Sequence, residues 1–476
     1  MKRSINIILH AVFVLTSCSS GSGGADTAAD DGANTTAPAE ETTGYYDGLE
    51  NLDFGGYEFT IIGYNHSGQW NMYLAPAEED GSLVNDAAYK RNREAEELLN
   101  IRVVEHLESG TNAHETTYKN SILAGEDLFD MCTYWSPGSR SVYITENLVY
   151  DWKEIPNINL DAPWWNQTAN DAFQVAGKQY FAVSDFTYPA HQQPRLLFNK
   201  GMMDDFKLEY PYQSVYDGKW TYDMMMDYCK DTYSDVNGSS TADEADRYGF
   251  VTNNTWTSLF MFAADEIPAI CGKDGFTFNL FSERISNIMD DLVAQKHNPD
   301  IWYAASGNPY AIFEEGRALF EAYGSDPELL RDIEFDYGYL PYPKYDEAQE
   351  DYVVWSSGGM MSVPITAADI NRTGAIVEAL SAGSQKYVEE AFVQSYFEGK
   401  ILRDEDSVKI YRMMRDRATY VISHNIDPAD KLASFKFYVA LLNDETLGAA
   451  SYWASIKDSV EAAYKNLYDI ANESED

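Results

Sequence analysis

The chain has 476 residues, 45% of them hydrophobic, and a formal net charge of −43. That length can bury one large or two medium cores. So acidic a chain repels nucleic acid and anionic lipid head groups, which removes DNA and RNA from its expected partners. Its four cysteines (Cys18, Cys132, Cys229 and Cys271) have neither CxxC nor metal-ligand spacing, which excludes a disulfide scaffold and leaves room for at most one bridge.

At the N-terminus, Lys2 and Arg3 precede an apolar run over residues 5–15. A spanning helix needs about 20 apolar residues, so this run has signal-peptide length. LTSC (15–18) reads as a lipobox: small residues precede a cysteine whose thiol would carry a diacylglycerol, so residues 1–17 are expected to be a signal peptide and Cys18 the lipidation site. Residues 18–48 are, after Cys18, mostly Gly, Ser, Ala, Thr, Asp and Glu with one Pro38, a composition that cannot offset its own ordering entropy. As a flexible acidic tether it would span roughly 30 Å. The globular body is therefore expected at the extracellular face of the cell membrane, held there by lipid alone.

After the tether, YEFTIIGY (57–64) predicts a buried strand, and SLVNDAAYKRNREAEELLN (82–100) an amphipathic helix with Leu83, Ala87, Ala88, Leu98 and Leu99 near one stripe. IRVVEHL (101–107) predicts a second strand, residues 114–124 a helix, and DLFDMCTYW (127–135) a third strand. Strands alternating with helices at such spacings predict a mostly parallel α/β sheet, whose ligands bind beyond the carboxyl ends of the strands. That places Tyr64, Asn65 and Trp135 at a mouth. Further along, Thr221 caps a predicted helix in which Met224, Met225 and Met226 read as core filler. SDVNGSSTADEAD (234–246) is an acidic loop that misses the calcium-binding EF-hand spacing because Gly238 comes too early. YGFVTNNTW (248–256) predicts a strand running into a polar loop that ends on Trp256; residues 335–359 are a Pro- and Tyr-rich passage between strands, and the chain from about residue 365 is mainly helical.

Catalytic templates are missing. There is no GxSxG, Walker A loop or Rossmann GxGxxG, and HETTY at His114 lacks the second His of a zinc helix. Carboxylate pairs have no diagnostic value in so acidic a chain. The aromatic content is high, at 14% with 35 Tyr and 10 Trp, which suits a surface that must be apolar and polar together.

Several segments, in order, resemble one family. AAYKRNREAEELLNIRV (87–103) looks like its first helix and second strand, and FDMCTYW (129–135) like the strand ending in a sugar-stacking ring. GKQYFAVSDFTYPAHQQPRLLFNKGMM (177–203) is similar to its first crossover, GKWTYD (218–223) to its Trp-Thr-aromatic-Asp helix start, and EEGRALFEAYGSD (314–326) to a segment before another site loop. The chain thus resembles, over nearly all of residues 49–472, the extracellular solute-binding lipoproteins of bacterial ABC importers, in the carbohydrate-binding group that includes maltose-binding protein. The resemblance implies a two-lobed, type II periplasmic-binding-protein-like α/β fold, with the ligand in a cleft between lobes joined by crossing strands. It implies an N-terminal lobe of residues 49–189 plus about 355–402 and a C-terminal lobe of 190–354 plus about 403–476. It also implies recognition of a carbohydrate, an oligosaccharide, and its delivery to ABC permease subunits by a monomer that has no cofactor and is not an enzyme.

Carried over residue by residue, Trp135 falls on the first-lobe stacking position, Trp256 on a second-lobe stacking aromatic, and Trp453 on the ring of the C-terminal helix. Gln192 falls where the crossover of maltose-binding protein offers a carboxylate, and Tyr323 lies near a family Trp position. Tyr64 and Asn65 occupy the first strand-to-helix loop. Trp355, ahead of SSGG (356–359), and Asp185 complete the ligand-binding candidates, with hinge packing the competing role for Trp355 and a structural role expected for Trp164 and Trp165. The alternatives are a surface-anchored polysaccharide-degrading enzyme and an anchored glycan-binding or sensor protein without transport.

Overall fold

The structure, a computed structural model, describes residues 44–65, 72–110, 112–134, 138–187, 193–304, 310–323, 330, 333–398 and 401–473. The strands that build it are β1 (Tyr57–Tyr64), β2 (Ile101–Glu108), β3 (Met131–Tyr134), β4 (Ala182–Val183), β5 (Arg195–Asn199), β6 (Tyr248–Asn253), β7 (Ile301–Ala304), β8 (Ala318–Tyr323), β9 (Tyr337–Leu340), β10 (Val354–Trp355), β11 (Met360–Ser362) and β12 (Ala418–Thr419). Eight helices matter for the site: α1 (Leu83–Leu99), α2 (Ala113–Leu123), α3 (Tyr222–Cys229), α4 (Asn254–Ala263), α5 (Ile370–Glu398), α6 (Glu405–Asp416), α7 (Ile422–Asn425) and α8 (Ala449–Glu473).

Two five-stranded sheets result, ordered β2-β1-β3-β11-β4 and β7-β6-β8-β5-β9. In the first, β1 runs parallel to β2 and β3, whereas β11 is antiparallel to both β3 and β4. In the second, β6 runs parallel to β7 and β8, and β5 is antiparallel to β8 and β9. Each sheet is therefore mixed rather than wholly parallel, and the one reversed strand sets the geometry. The chain leaves the first sheet at the carboxyl end of β4 and enters the second at the start of β5. Because β5 is reversed, its start lies on the carboxyl edge of β6, β7 and β8. The return passes from the carboxyl end of β9 through β10 to the start of the reversed β11, again on the carboxyl edge of β1 and β3. Both crossovers thus join one carboxyl edge to the other, so the two edges confront each other across a hinge.

The first elements follow the sequence closely. Ser82 caps α1 by accepting the Asn85 N–H, and Asn100 ends it in the left-handed conformation at φ 49°. The buried stripe of α1 is displaced from the expected one: Val84, Ala88, Arg91, Ala95 and Leu99 face α5, while Leu83, Ala87 and Leu98 are half-buried. Arg91 tolerates burial because its guanidinium donates to the Tyr73 and Leu74 carbonyls at 2.6 and 2.9 Å. Thr221 caps α3 as expected, and Met225 is fully buried. Trp164 and Trp165 are buried, and both donate their indole N–H to Glu378 on α5, at 3.1 and 3.0 Å. Cys132, Cys229 and Cys271 are unpaired thiols. Among the described residues, no helix is long and apolar enough to cross a membrane.

Candidate functional site

On the carboxyl edge of the second sheet, the expected polar loop before Trp256 is instead a helix start. Asn253 ends β6 and its side chain accepts the Trp256 N–H at 3.1 Å, so α4 begins immediately and Trp256 stands in its first turn. Asn is a strong N-cap, and this signal outweighed the polar run that suggested a loop. The Trp256 carbonyl accepts the Tyr342 hydroxyl at 3.1 Å. The backbone under the half-buried indole is thus held from both sides. Tyr323 ends β8 opposite Arg195, at the same edge.

On the first sheet's edge, Tyr64 ends β1 in register with Glu108 of β2. Asn65 donates its N–H to the Glu108 carbonyl at 2.8 Å and its amide to Ser109 at 3.3 Å. The close approach of β1 to β3 requires Gly63, where an added Cβ would sit 2.7 Å from the Thr133 hydroxyl. The Tyr64 ring lies 6.1 Å from that of His114, a buried residue in the first turn of α2 whose imidazole is held below its usual pKa by burial. Next to it, Glu115 receives two hydrogen bonds from Arg140, at 3.1 and 2.6 Å, and the guanidinium lies 4.7 Å from the Tyr134 ring. Trp135, Gln192 and Cys18 lie outside the described residues, as does the side chain of Tyr323.

Between the edges, at the hinge, stand Asp185 and Trp355. Asp185 is two residues beyond β4; its N–H donates to the Trp164 carbonyl at 2.9 Å. Burial pushes its pKa up to about 7, against the opposing pull of Arg415. Trp355 lies in β10, which pairs with β12, and its ring packs 4.7 Å from Phe435 and 5.4 Å from His424. Helix α7 docks on the first lobe through backbone bonds, Gly138 N–H to the His424 carbonyl and Arg140 N–H to the Asn425 carbonyl, at 3.0 and 3.2 Å. Its His424 ring points the other way, 4.9 Å from Phe262 and 4.1 Å from Phe435. Burial alone drives the His424 pKa down to about 3. The Trp355 indole N–H, both His424 nitrogens, the Asn425 amide and the Ser423 hydroxyl are buried here without a described hydrogen-bond partner. Every one of these groups is uncharged at neutral pH.

The strand order spreads the candidates along the edge: Tyr64 ends β1 and Asp185 follows β4, strands three places apart, roughly 14 Å at the usual strand spacing. The structure brings Trp355 together with His424, and Tyr64 with His114. Trp453, in the second turn of α8, meets Phe278 at 5.7 Å. Sequence reading passed over α7 and the Arg140–Glu115 pair. HETTY had marked His114 only as a failed zinc motif, and nothing local distinguishes residues 423–425. In the 234–246 loop the carboxylates are engaged by backbone amides: Asp235 receives the N–H groups of Gly238, Ser239 and Ser240, and Asp246 those of Val236 and Asp243. Among the described residues, no group of three or more His, Cys, Asp or Glu is placed to hold a metal ion.

No protein-family model matches the chain, and no curated protein matches it in sequence. Solved structures do match. A cyclo/maltodextrin-binding protein complexed with maltotetraose aligns at TM-score 0.56 and 13% identity, over 88% of this chain and 97% of its own. UspC of M. tuberculosis aligns at 0.53 and 12% identity, over 86% and 100%. An ABC substrate-binding protein of Listeria monocytogenes in complex with cycloalternan aligns at 0.51 and 15%, over 88% and 99%. Full-length superposition at such low identity speaks to architecture, and with the two confronting sheets it shows that this chain has the two-lobed, type II periplasmic-binding-protein-like fold.

Proposed function

We propose that the protein captures a carbohydrate between the two carboxyl edges and hands it to an ABC permease, without chemistry on the ligand. The observation that carries this reading is the pair of rings at the two carboxyl edges, a firmly held Trp256 on one and Tyr64 on the other, with the uncharged polar groups of Trp355, His424 and Asn425 packed at the hinge. Pyranose C–H faces pack on aromatic rings while neutral hydroxyls pair with such groups, whereas an ion would find no countercharge in His424, Asn425 or Trp355. That structural neighbours include proteins complexed with maltotetraose and cycloalternan supports the same class of ligand. Trp135, Trp453, Gln192, Tyr323 and Asn65 join the proposed site from the family resemblance.

The lobes are proposed as residues 49–189 with about 355–402, and 190–354 with about 403–476. Closure follows because a ligand touching both edges binds the closed state more tightly than the open one. A lipid on Cys18 and the acidic tether would keep the body beside its permease at the outer face of the membrane. Thermal-shift and calorimetric screening against a glycan panel tests the reading, since a bound glycan raises the melting temperature. A chain that ignores every glycan but responds to peptides or polyamines would not be a carbohydrate receptor, and release of reducing ends would make it a hydrolase.

A further inference from the structure

Phe435 has φ 64° and ψ 12°, in the left-handed region, where a short 3-10 turn (Ala433–Phe435) meets the helix Lys436–Asn443. Glycine takes that conformation freely, whereas a bulky aromatic residue is strained in it. Such strain persists only where the surroundings over-determine the backbone, and here they do. Asp427, fully buried, accepts the Ala429 N–H through Oδ1 at 3.0 Å. Its Oδ2 accepts the N–H groups of Lys431, Leu432 and Ala433, at 2.6, 2.6 and 3.0 Å. Asp430 accepts the Ser139 hydroxyl at 2.9 Å and pairs with Lys436, the residue after Phe435. The loop is thus pinned on both sides of the strained residue.

What the strain secures is the place of one ring. Phe435, only 5% exposed, lies 4.7 Å from Trp355, 4.1 Å from His424 and 4.9 Å from Phe262, centroid to centroid. A right-handed φ at this residue would turn its Cβ, and the ring with it, away from that cluster. Trp355 needs such support. Its strand β10 has two residues, paired with β12 at Val354–Ala418 and Trp355–Thr419, and the chain soon reaches Gly358 and Gly359, at φ 75° and 66°. So short a strand fixes the backbone but leaves the tilt of the indole to the rings packed against it. Phe262 stands on α4, six residues beyond Trp256. The Phe435 ring therefore sets Trp355 against the helix that carries Trp256.

We propose that Phe435 is a positioning residue that determines specificity: buried out of a ligand's reach, it fixes the tilt and distance of the Trp355 indole relative to Trp256, and hence which glycans can use both rings. The inference rests on the carbohydrate reading and on Trp355 belonging to its site. A sugar face packs on an indole only when the two planes lie nearly parallel, so an indole free to tilt loses contact. The loss is greatest for the ligand whose shape matches the fixed pose.

The test is calorimetry of the full chain with maltotetraose, cycloalternan and a panel of mono- and oligosaccharides, on wild type, F435L, F435G, W355F and the double variant F435L/W355F. Ligand-free melts and near-ultraviolet circular dichroism accompany it. F435L keeps buried apolar bulk and F435G suits the left-handed backbone, so the two variants stress the fold in opposite ways. Each should bind the best glycan about three- to tenfold more weakly, the worth of an aromatic pair, and the preference among glycans should narrow. In the W355F background the F435L change in the near-ultraviolet spectrum should vanish and its loss of affinity should shrink, because both substitutions act through one ring. A purely structural role would leave the ranking of glycans intact and make the two losses multiply. Wild-type affinity and ranking in both Phe435 variants, multiplying losses in the double variant, or failure of both Phe435 variants to fold overturns the proposal and leaves the carbohydrate reading standing. Wild-type protein that binds no glycan overturns the carbohydrate reading, and this proposal with it.

Discussion

Replacing Trp256 by Ala isolates the ring from the scaffold that carries it. The Asn253 cap uses the Trp256 N–H and the Tyr342 hydroxyl uses its carbonyl, and neither bond depends on the indole. Trp256→Ala should therefore keep α4 intact. The ring is half-buried, so its loss forfeits about half of the ~1.5–3 kcal/mol of a fully buried large side chain, or ~0.8–1.5 kcal/mol of stability. The exposed half is the part available to a sugar face. Losing a comparable apolar contact together with its aromatic preference should cost ~1–3 kcal/mol of binding, about five- to 150-fold in Kd. Trp256→Phe retains a flat face and should lose less than about tenfold. Calorimetry with the best glycan from the panel, alongside ligand-free melts, separates the two effects. If Trp256→Ala melts as a folded protein and binds that glycan within about twofold of wild type, the ring is not part of the site.

Three further outcomes follow from other parts of the same geometry. His424 has a native pKa near 3 against an ordinary 6.5, so below pH 6.5 the unfolded chain binds the proton that the native state refuses. Its contribution to stability is complete above pH 6.5 and is lost at ~1.4 kcal/mol per pH unit as pH falls towards 3; urea titrations should show this slope flattened in His424→Phe, and an unchanged slope would exclude His424 as its source. Glu378→Ala strands the indole N–H groups of Trp164 and Trp165, at ~1–3 kcal/mol each, so a denaturation midpoint matching wild type would contradict the role assigned to this carboxyl. Glu115→Gln leaves the buried Arg140 without its carboxylate and should cost ~3–5 kcal/mol in chemical denaturation, whereas a cost below ~1 kcal/mol would mean the pair is dispensable.

Local signals were legible where local physics decides. β1 spans Tyr57–Tyr64 as read, and α1 runs between the Ser82 cap and the Asn100 stop because hydrophobic period and capping residues act within a few positions. The same reasoning failed at residues 254–256, where it counted polar residues and overlooked that Asn253 is itself a cap. It also displaced the buried stripe of α1, because apolarity cannot announce that Arg91 will be buried against the Tyr73 and Leu74 carbonyls.

The sequence by itself determined the alternation of strands and helices, the caps, and the rings at strand ends, all properties of short windows. Only the tertiary structure decided that β5 and β11 run backwards in their sheets, which turns two carboxyl edges towards each other. It alone joined Trp355 to His424 and brought Arg415 within electrostatic reach of Asp185, pairs separated by 69 and 230 positions in the chain. Such contacts depend on which surfaces pack after the chain has crossed the hinge twice, and no window of sequence contains both partners.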